Sequence, residues 1–154
     1  MTTAYVAAEK FIHWNDKGQP TIDESLAAAI ASHRKNNRFV IFFAPARFGF
    51  WFEDKQEVEE AWHYLENALC SAGMHPKEVM LFDHEVDADR FVHDMQAHPN
   101  DNAVIVSDEP CDQTLSQTLG IRCIHEIPAD MSGMWPKLSI RRILRTLIPA
   151  AFNV

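Results

Sequence analysis

Four short runs of β-forming apolar residues recur along the chain, and a helix-period segment separates each from the next. The runs are Phe39-Val-Ile-Phe-Phe43, Val79-Met-Leu-Phe82, Ala103-Val-Ile-Val106 and Ile121-Arg-Cys-Ile124. The first and third are continuously apolar rather than alternating, as in a strand covered on both faces. Strands that alternate with helices pack as a parallel sheet between two helical layers. The pattern therefore predicts an α/β fold, a three-layer sandwich around a mainly parallel four-stranded sheet.

The helical segments carry their own signals. Thr21-Ile-Asp-Glu24 has the spacing of a capping box, with Thr21 as N-cap, and Ser25–His33 follows as a short helix. Glu53–Cys70 places Val58, Ala61, Trp62, Leu65, Ala68 and Leu69 on one face. Asp87–Ala97 turns Phe91, Val92 and Met95 inward. Pro110–Leu119 is closed by Gly120, and Leu138–Ile148 is ended by Pro149. Residues 1–20, punctuated by Gly18 and Pro20, read as an irregular lead-in.

A chain of 154 residues is one domain's worth, so residues 1–154 are expected to form a single unit. The formal charge is −8, and it is unevenly placed. Residues 53–130 hold eighteen acids and four bases, whereas residues 131–154 hold four bases and no acid. Such a balance argues against tight binding along a nucleic-acid duplex. It leaves room for weak local contacts, and the acidic middle could meet a basic protein partner.

Cys70, Cys111 and Cys123 contain no CxxC spacing, which argues against a zinc site or a disulfide framework. The expectation is buried, reduced thiols. No signal-like or membrane-length apolar run is present in the sequence, so a soluble, cytoplasmic protein is expected. Asp89 and His93 share a helix face four residues apart, but nothing around them has metal-ligand spacing. The whole His- and acid-rich segment from His75 to His98 reads as a solvated face. No cofactor is expected.

In open α/β sheets, ligands bind at the C-terminal strand ends. Loops 44–52, 107–110 and 126–136 are therefore the candidates. The first holds Arg47 beside Phe48, Phe50, Trp51 and Phe52, which could stack a base with Arg47 on a phosphate or could pack inward to steady the loop. Lys137 and Arg141 open the last helix and could meet an anion. Ser107-Asp108-Glu109 ends a strand, either as catalytic carboxylates or as a cap for the helix after Pro110. His125 completes the set of weak catalytic candidates with Asp108 and Glu109.

The order of these pieces over residues 39–148 resembles the uracil-DNA glycosylase superfamily. Phe39–Ala46 stands where that family has its first strand and its Gly-[Glu/Asp]-x-Pro-Gly type loop. Gly73 and Glu78–Phe82 are similar to its next turn and strand, and Thr118-Leu-Gly120 to its later Leu-Gly turn. Ile127-Pro-Ala129 and Pro136-Lys137 look like its second motif and last helix. The departures concern chemistry. The family's water-activating carboxylate would fall near Phe43 and its histidine near Ile127, and neither side chain can move a proton. The cysteines of the iron–sulfur members have no counterpart. The psi subunit of bacterial DNA polymerase III, a non-catalytic relative of similar size, shows that this fold can serve without glycosylase chemistry.

The fold order and the missing polar groups together lead to the expectation of a non-catalytic binding or accessory protein, acting through protein or weak nucleic-acid contacts, with Arg47, Phe50, Trp51 and Phe52 in its crevice and Lys137 and Arg141 nearby. The alternative is an enzyme acting on a nucleotide or base-like small molecule. That alternative requires Asp108, Glu109 or His125 to converge at the crevice.

Overall fold

The computed structural model describes residues 1–14, 20–44, 55–71, 73–75, 78–81, 88–128 and Met131. The chain starts with strand β1 (Thr2–Ala7), a single helical turn α1 (Ala8–Phe11), and strands β2 (Ile12–Trp14) and β3 (Pro20–Ile22). Helix α2 (Glu24–His33), strand β4 (Asn37–Phe43), helix α3 (Lys55–Ser71) and strand β5 (Val79–Leu81) follow. Then come α4 (Ala88–Ala97), β6 (Asn102–Val106), α5 (Pro110–Leu119) and β7 (Arg122–Ile124).

The main sheet has the order β5-β4-β1-β6-β7, and every neighbouring pair is parallel. The four expected strands are all there, within about two residues of their expected bounds. The first twenty residues differ from expectation. They are not an irregular lead-in: Thr2–Ala7 is the central strand of the sheet, with β4 on one side and β6 on the other. Pro20 opens β3, which forms a small antiparallel pair with β2, and Gly18 lies outside the described residues. The expected helix Leu138–Ile148 lies outside the described residues.

Each buried strand sends alternate side chains to opposite layers, because successive Cβ atoms point to opposite faces. Ala4, Val6, Phe39, Ile41, Phe43, Val104 and Val106 form one core with Phe11, Ile30, Leu65 and Leu69 of α1, α2 and α3. Tyr5, Ala7, Val40, Phe42 and Ile105 form the other with residues of α4 and α5, among them Phe91, Met95, Leu115 and Leu119. This is the three-layer arrangement. Phe91 anchors the second core edge-to-face on Tyr5 and Phe42, with ring centroids 5.1 and 5.3 Å apart. The helices change face where the winding changes direction. The chain moves outward from β1 through β4 to β5, then returns to β6 on the far side of β1.

The start of α2 departs from the capping-box expectation. Thr21 belongs to β3 and its hydroxyl donates to the His13 carbonyl. Asp23 is the N-cap, its Oδ1 accepting the Leu26 N–H at 2.9 Å. That hydrogen bond, with a smaller contribution from His13, holds the Asp23 carboxyl below the usual carboxylate range. Asp23→Ala is expected to lower stability by about 1 kcal/mol, read as a lower midpoint in urea with an unchanged slope. An unchanged midpoint would refute the cap.

Two further expectations are corrected. Cys70 and Cys111 are exposed and Cys123 is half-buried, so the thiols are not all core residues. Burial, aided by the nearby Asp112 and Asp108 charges, pushes the Cys123 thiol up, which keeps it protonated and unreactive. Asp94 is not part of a solvated face. Its Oδ1 and Oδ2 accept from Arg38 Nη2 and Nη1 at 2.6 and 2.8 Å, and Oδ2 also accepts the Tyr5 hydroxyl at 2.6 Å. This network ties α4 to β1 and β4 beneath the second helical layer. Among the described residues, no helix is long and apolar enough to cross a membrane.

Candidate functional site

The strand order decides where the sheet opens. Connections leave β1 and β6 toward opposite edges, and such a switch point leaves a crevice beyond the carboxyl ends of those strands. Three connections deliver polar side chains there. The turn α1, directly after β1, carries Lys10. The segment after β6 carries Asp108, and the segment after β7 carries His125.

Asp108 bonds both of the others. Lys10 Nζ lies 2.7 Å from Asp108 Oδ2, and His125 Nδ1 lies 2.8 Å from Asp108 Oδ1. The Lys10 ammonium, and after it the His125 imidazole, hold the Asp108 carboxyl below its usual range. The side chains of Asp108 and His125 are 57% and 66% exposed, so both can be reached by a ligand.

The backbone beneath them is well tied. The Ser107 N–H donates to the Ile124 carbonyl at 3.0 Å, which locks the end of β6 to the end of β7. The buried Ser107 hydroxyl donates to Asp112 Oδ2 at 2.5 Å and accepts the Glu109 N–H at 3.0 Å. Of the Ser107-Asp108-Glu109 segment read as a possible cap, only Ser107 bonds locally, to the N–H of the N-cap residue Glu109 and to Asp112 in the first turn of α5. Glu109 occupies the N-cap position without a side-chain capping bond. The Asp108 carboxylate is left to bond Lys10 and His125.

A cleft of about 270 Å³ opens beside these groups. Its polar wall is formed by Lys10, Asp23, Ser25, His125 and Glu126. Leu26, Ala29, Val106 and Ile127 make its apolar wall. Three carboxylates at or beside the cleft, those of Asp23, Asp108 and Glu126, stand against the single ammonium of Lys10. Among the described residues, no group of three or more His, Cys, Asp or Glu side chains could hold a metal ion.

Of the residues singled out in the sequence, the structure brings Asp108 and His125 together, but only His125 lines the cleft; Asp108 and Glu109 are both outside its wall. Arg47, Phe50, Trp51, Phe52, Lys137 and Arg141 lie outside the described residues. Phe43, where the resemblance would place a carboxylate, is a core residue of β4, and Ile127 is on the apolar cleft wall. Sequence reasoning missed Lys10 and Glu126. A lysine three residues past a strand end is a usable signal, but only once Thr2–Ala7 is recognised as a strand.

No protein-family model matches the chain, and no curated protein matches it in sequence. One solved structure, a hypothetical protein from Xanthomonas campestris, is similar at 9% identity and a TM-score of 0.49. The alignment covers 100% of this chain and 90% of that one. A likeness of that degree carries no argument about function.

Proposed function

We propose that this chain is a binding protein on a uracil-DNA-glycosylase-like sandwich, without glycosylase chemistry, that takes a small base-like molecule in the crevice between β1 and β6. The observation that carries the reading is the cleft at the switch point, with one apolar wall and a polar wall whose Lys10 and His125 are both held in place by Asp108 beside it. Apolar surface with a few fixed polar groups is the usual composition of a small-molecule site. The volume, about 270 Å³, falls just below the ~300–1,000 Å³ of pockets for drug-sized ligands. A single base or nucleoside is the matching size class. The surplus of carboxylates disfavours a polyanionic strand, in keeping with the charge of −8. The apolar Phe43 and Ile127 support the absence of glycosylase chemistry.

The test is a ¹H–¹⁵N NMR titration of the full chain with free bases and nucleosides to millimolar concentration. Shifts confined to residues such as Lys10, Ala29, Val106, His125 and Ile127 are expected. A lack of any shift would overturn the reading, and measurable uracil excision from DNA would overturn its non-catalytic part.

The contact between Asp108 and His125 favours a second reading, in which the same site performs acid–base chemistry on such a molecule. A carboxylate that orients an imidazole is a recurrent arrangement in proton transfer. Turnover of a nucleoside by the native chain, lost in His125→Gln, would establish it.

A further inference from the structure

The hydrogen-bonding polarity of the crevice follows from the way its imidazole is held, and it rests on the small-ligand reading above. We infer that Asp108 fixes His125 as a hydrogen-bond acceptor toward the cleft, so that the site selects neutral or cationic ligands presenting N–H donors and rejects simple anions.

A carboxylate can only accept hydrogen bonds, so the 2.8 Å contact requires the proton on His125 Nδ1. A neutral imidazole carries one ring proton, and Nε2 then keeps its lone pair. Asp108 cannot readily turn away, because Lys10 holds its other oxygen at 2.7 Å. The same contact neutralises the ammonium that would otherwise attract an anion. The other charged groups around the imidazole reinforce this polarity. Glu126, its neighbour in the chain, lines the same cleft, and no ion pair or hydrogen bond engages its carboxylate among the described residues. Asp23, from the start of α2, adds a further negative charge, with Oδ1 on the Leu26 N–H and Oδ2 3.4 Å from His13 Nε2.

The surface offered to a ligand is therefore an imidazole acceptor beside a carboxylate acceptor, next to apolar wall. Its complement is a flat heterocycle with an amino group beside a ring N–H, the two-donor edge of a guanine-type base.

The test has two arms on the full chain. Long-range ¹H–¹⁵N NMR without ligand, at about pH 8 and above the ordinary imidazole range, reads the His125 tautomer. The Nδ1–H form is expected in the native chain, with the preference lost in Asp108→Ala. A native Nε2–H form would overturn the proposal. The second arm titrates isocytosine, 9-methylguanine and inorganic phosphate separately. Isocytosine or 9-methylguanine is expected to shift His125 and Ile127, with binding about tenfold weaker in Asp108→Ala. Phosphate binding more tightly than either base, with the Nδ1–H form intact, would overturn the selectivity but keep the site. No shift with any probe, again with the Nδ1–H form intact, would overturn the small-ligand reading and the selectivity together. These outcomes separate the failure of one from the failure of the other.

Discussion

Deletion of residues 1–7 is expected to abolish cooperative folding. Those residues contain β1, which pairs with β4 from Thr2 through Ala7 and with β6 from Thr2 through Val6. Removing it separates the sheet into two fragments, β5-β4 and β6-β7. Each would expose a new edge of unpaired backbone groups. It also takes Ala4 and Val6 from one core and Tyr5 and Ala7 from the other, all of them 0–1% exposed. A point substitution makes the same case within an intact chain. Val6→Asp would bury a carboxylate in the first core with no cation beside it, and a cost of about 3–5 kcal/mol is expected. Circular dichroism melts of both variants are the measurement. A lead-in segment would tolerate both changes, so a native-like transition in either variant would refute the central placement of β1.

Asp94→Ala is expected to cost about 3 kcal/mol, because it removes one partner of a part-buried pair and leaves the Arg38 guanidinium behind. The Arg38 and Asp94 side chains are 25% and 18% exposed, which limits solvent screening of the pair. Tyr5→Phe should cost less, about 1 kcal/mol, since Asp94 keeps both bonds from Arg38. Because the three groups form one network, Tyr5→Phe and Asp94→Ala should be markedly non-additive in a double-mutant cycle. Additive costs would show that the hydroxyl and the ion pair act independently.

The same network sets a pH dependence. Burial alone would raise the Asp94 carboxyl, but the hydrogen bonds from Arg38 and Tyr5 outweigh it and hold the group below its usual range. Its folded value is thus depressed relative to an unfolded value of ~3.9. The stabilisation is fully present above that unfolded value and is lost as pH falls through the lower folded one. Native protein should therefore lose melting temperature between about pH 5 and pH 2 more steeply than Asp94→Asn. Parallel curves would rule out Asp94 as a principal acid-sensitive group. Tyr5 moves the other way. Burial, and after it the Asp94 carboxylate, push its phenol above the ordinary range, so it remains a donor in alkaline solution.

How much could be read from the chain depended on whether burial is written locally. Phe39–Phe43 and Ala103–Val106 lie between two helical layers, and burial on both faces leaves a continuous apolar run that identifies a strand. Helix α4 was equally legible, since Phe91, Val92 and Met95 recur on one face and all three are buried. Thr2-Thr-Ala-Tyr-Val-Ala7 carries a weaker mark. Threonine and alanine do not announce a core strand, and partners 35 and 100 residues away make it central. Asp94 looks like any surface acid until Arg38, 56 residues distant, is folded against it.

The sequence by itself determined the fold class, four strands of the main sheet and helices α2 to α5, because these follow from periodicity within about ten residues. It also marked Asp108 and His125 as chemistry-bearing residues near strand ends. Only the tertiary structure decided that β1 is the middle of the sheet, and hence that the crevice opens beside Lys10. The pairing of Lys10 with Asp108 spans 98 positions, and no local pattern encodes a contact at that separation. Strand order alone brings those two chain segments together, and with them the acceptor-lined cleft in which the function is proposed to reside.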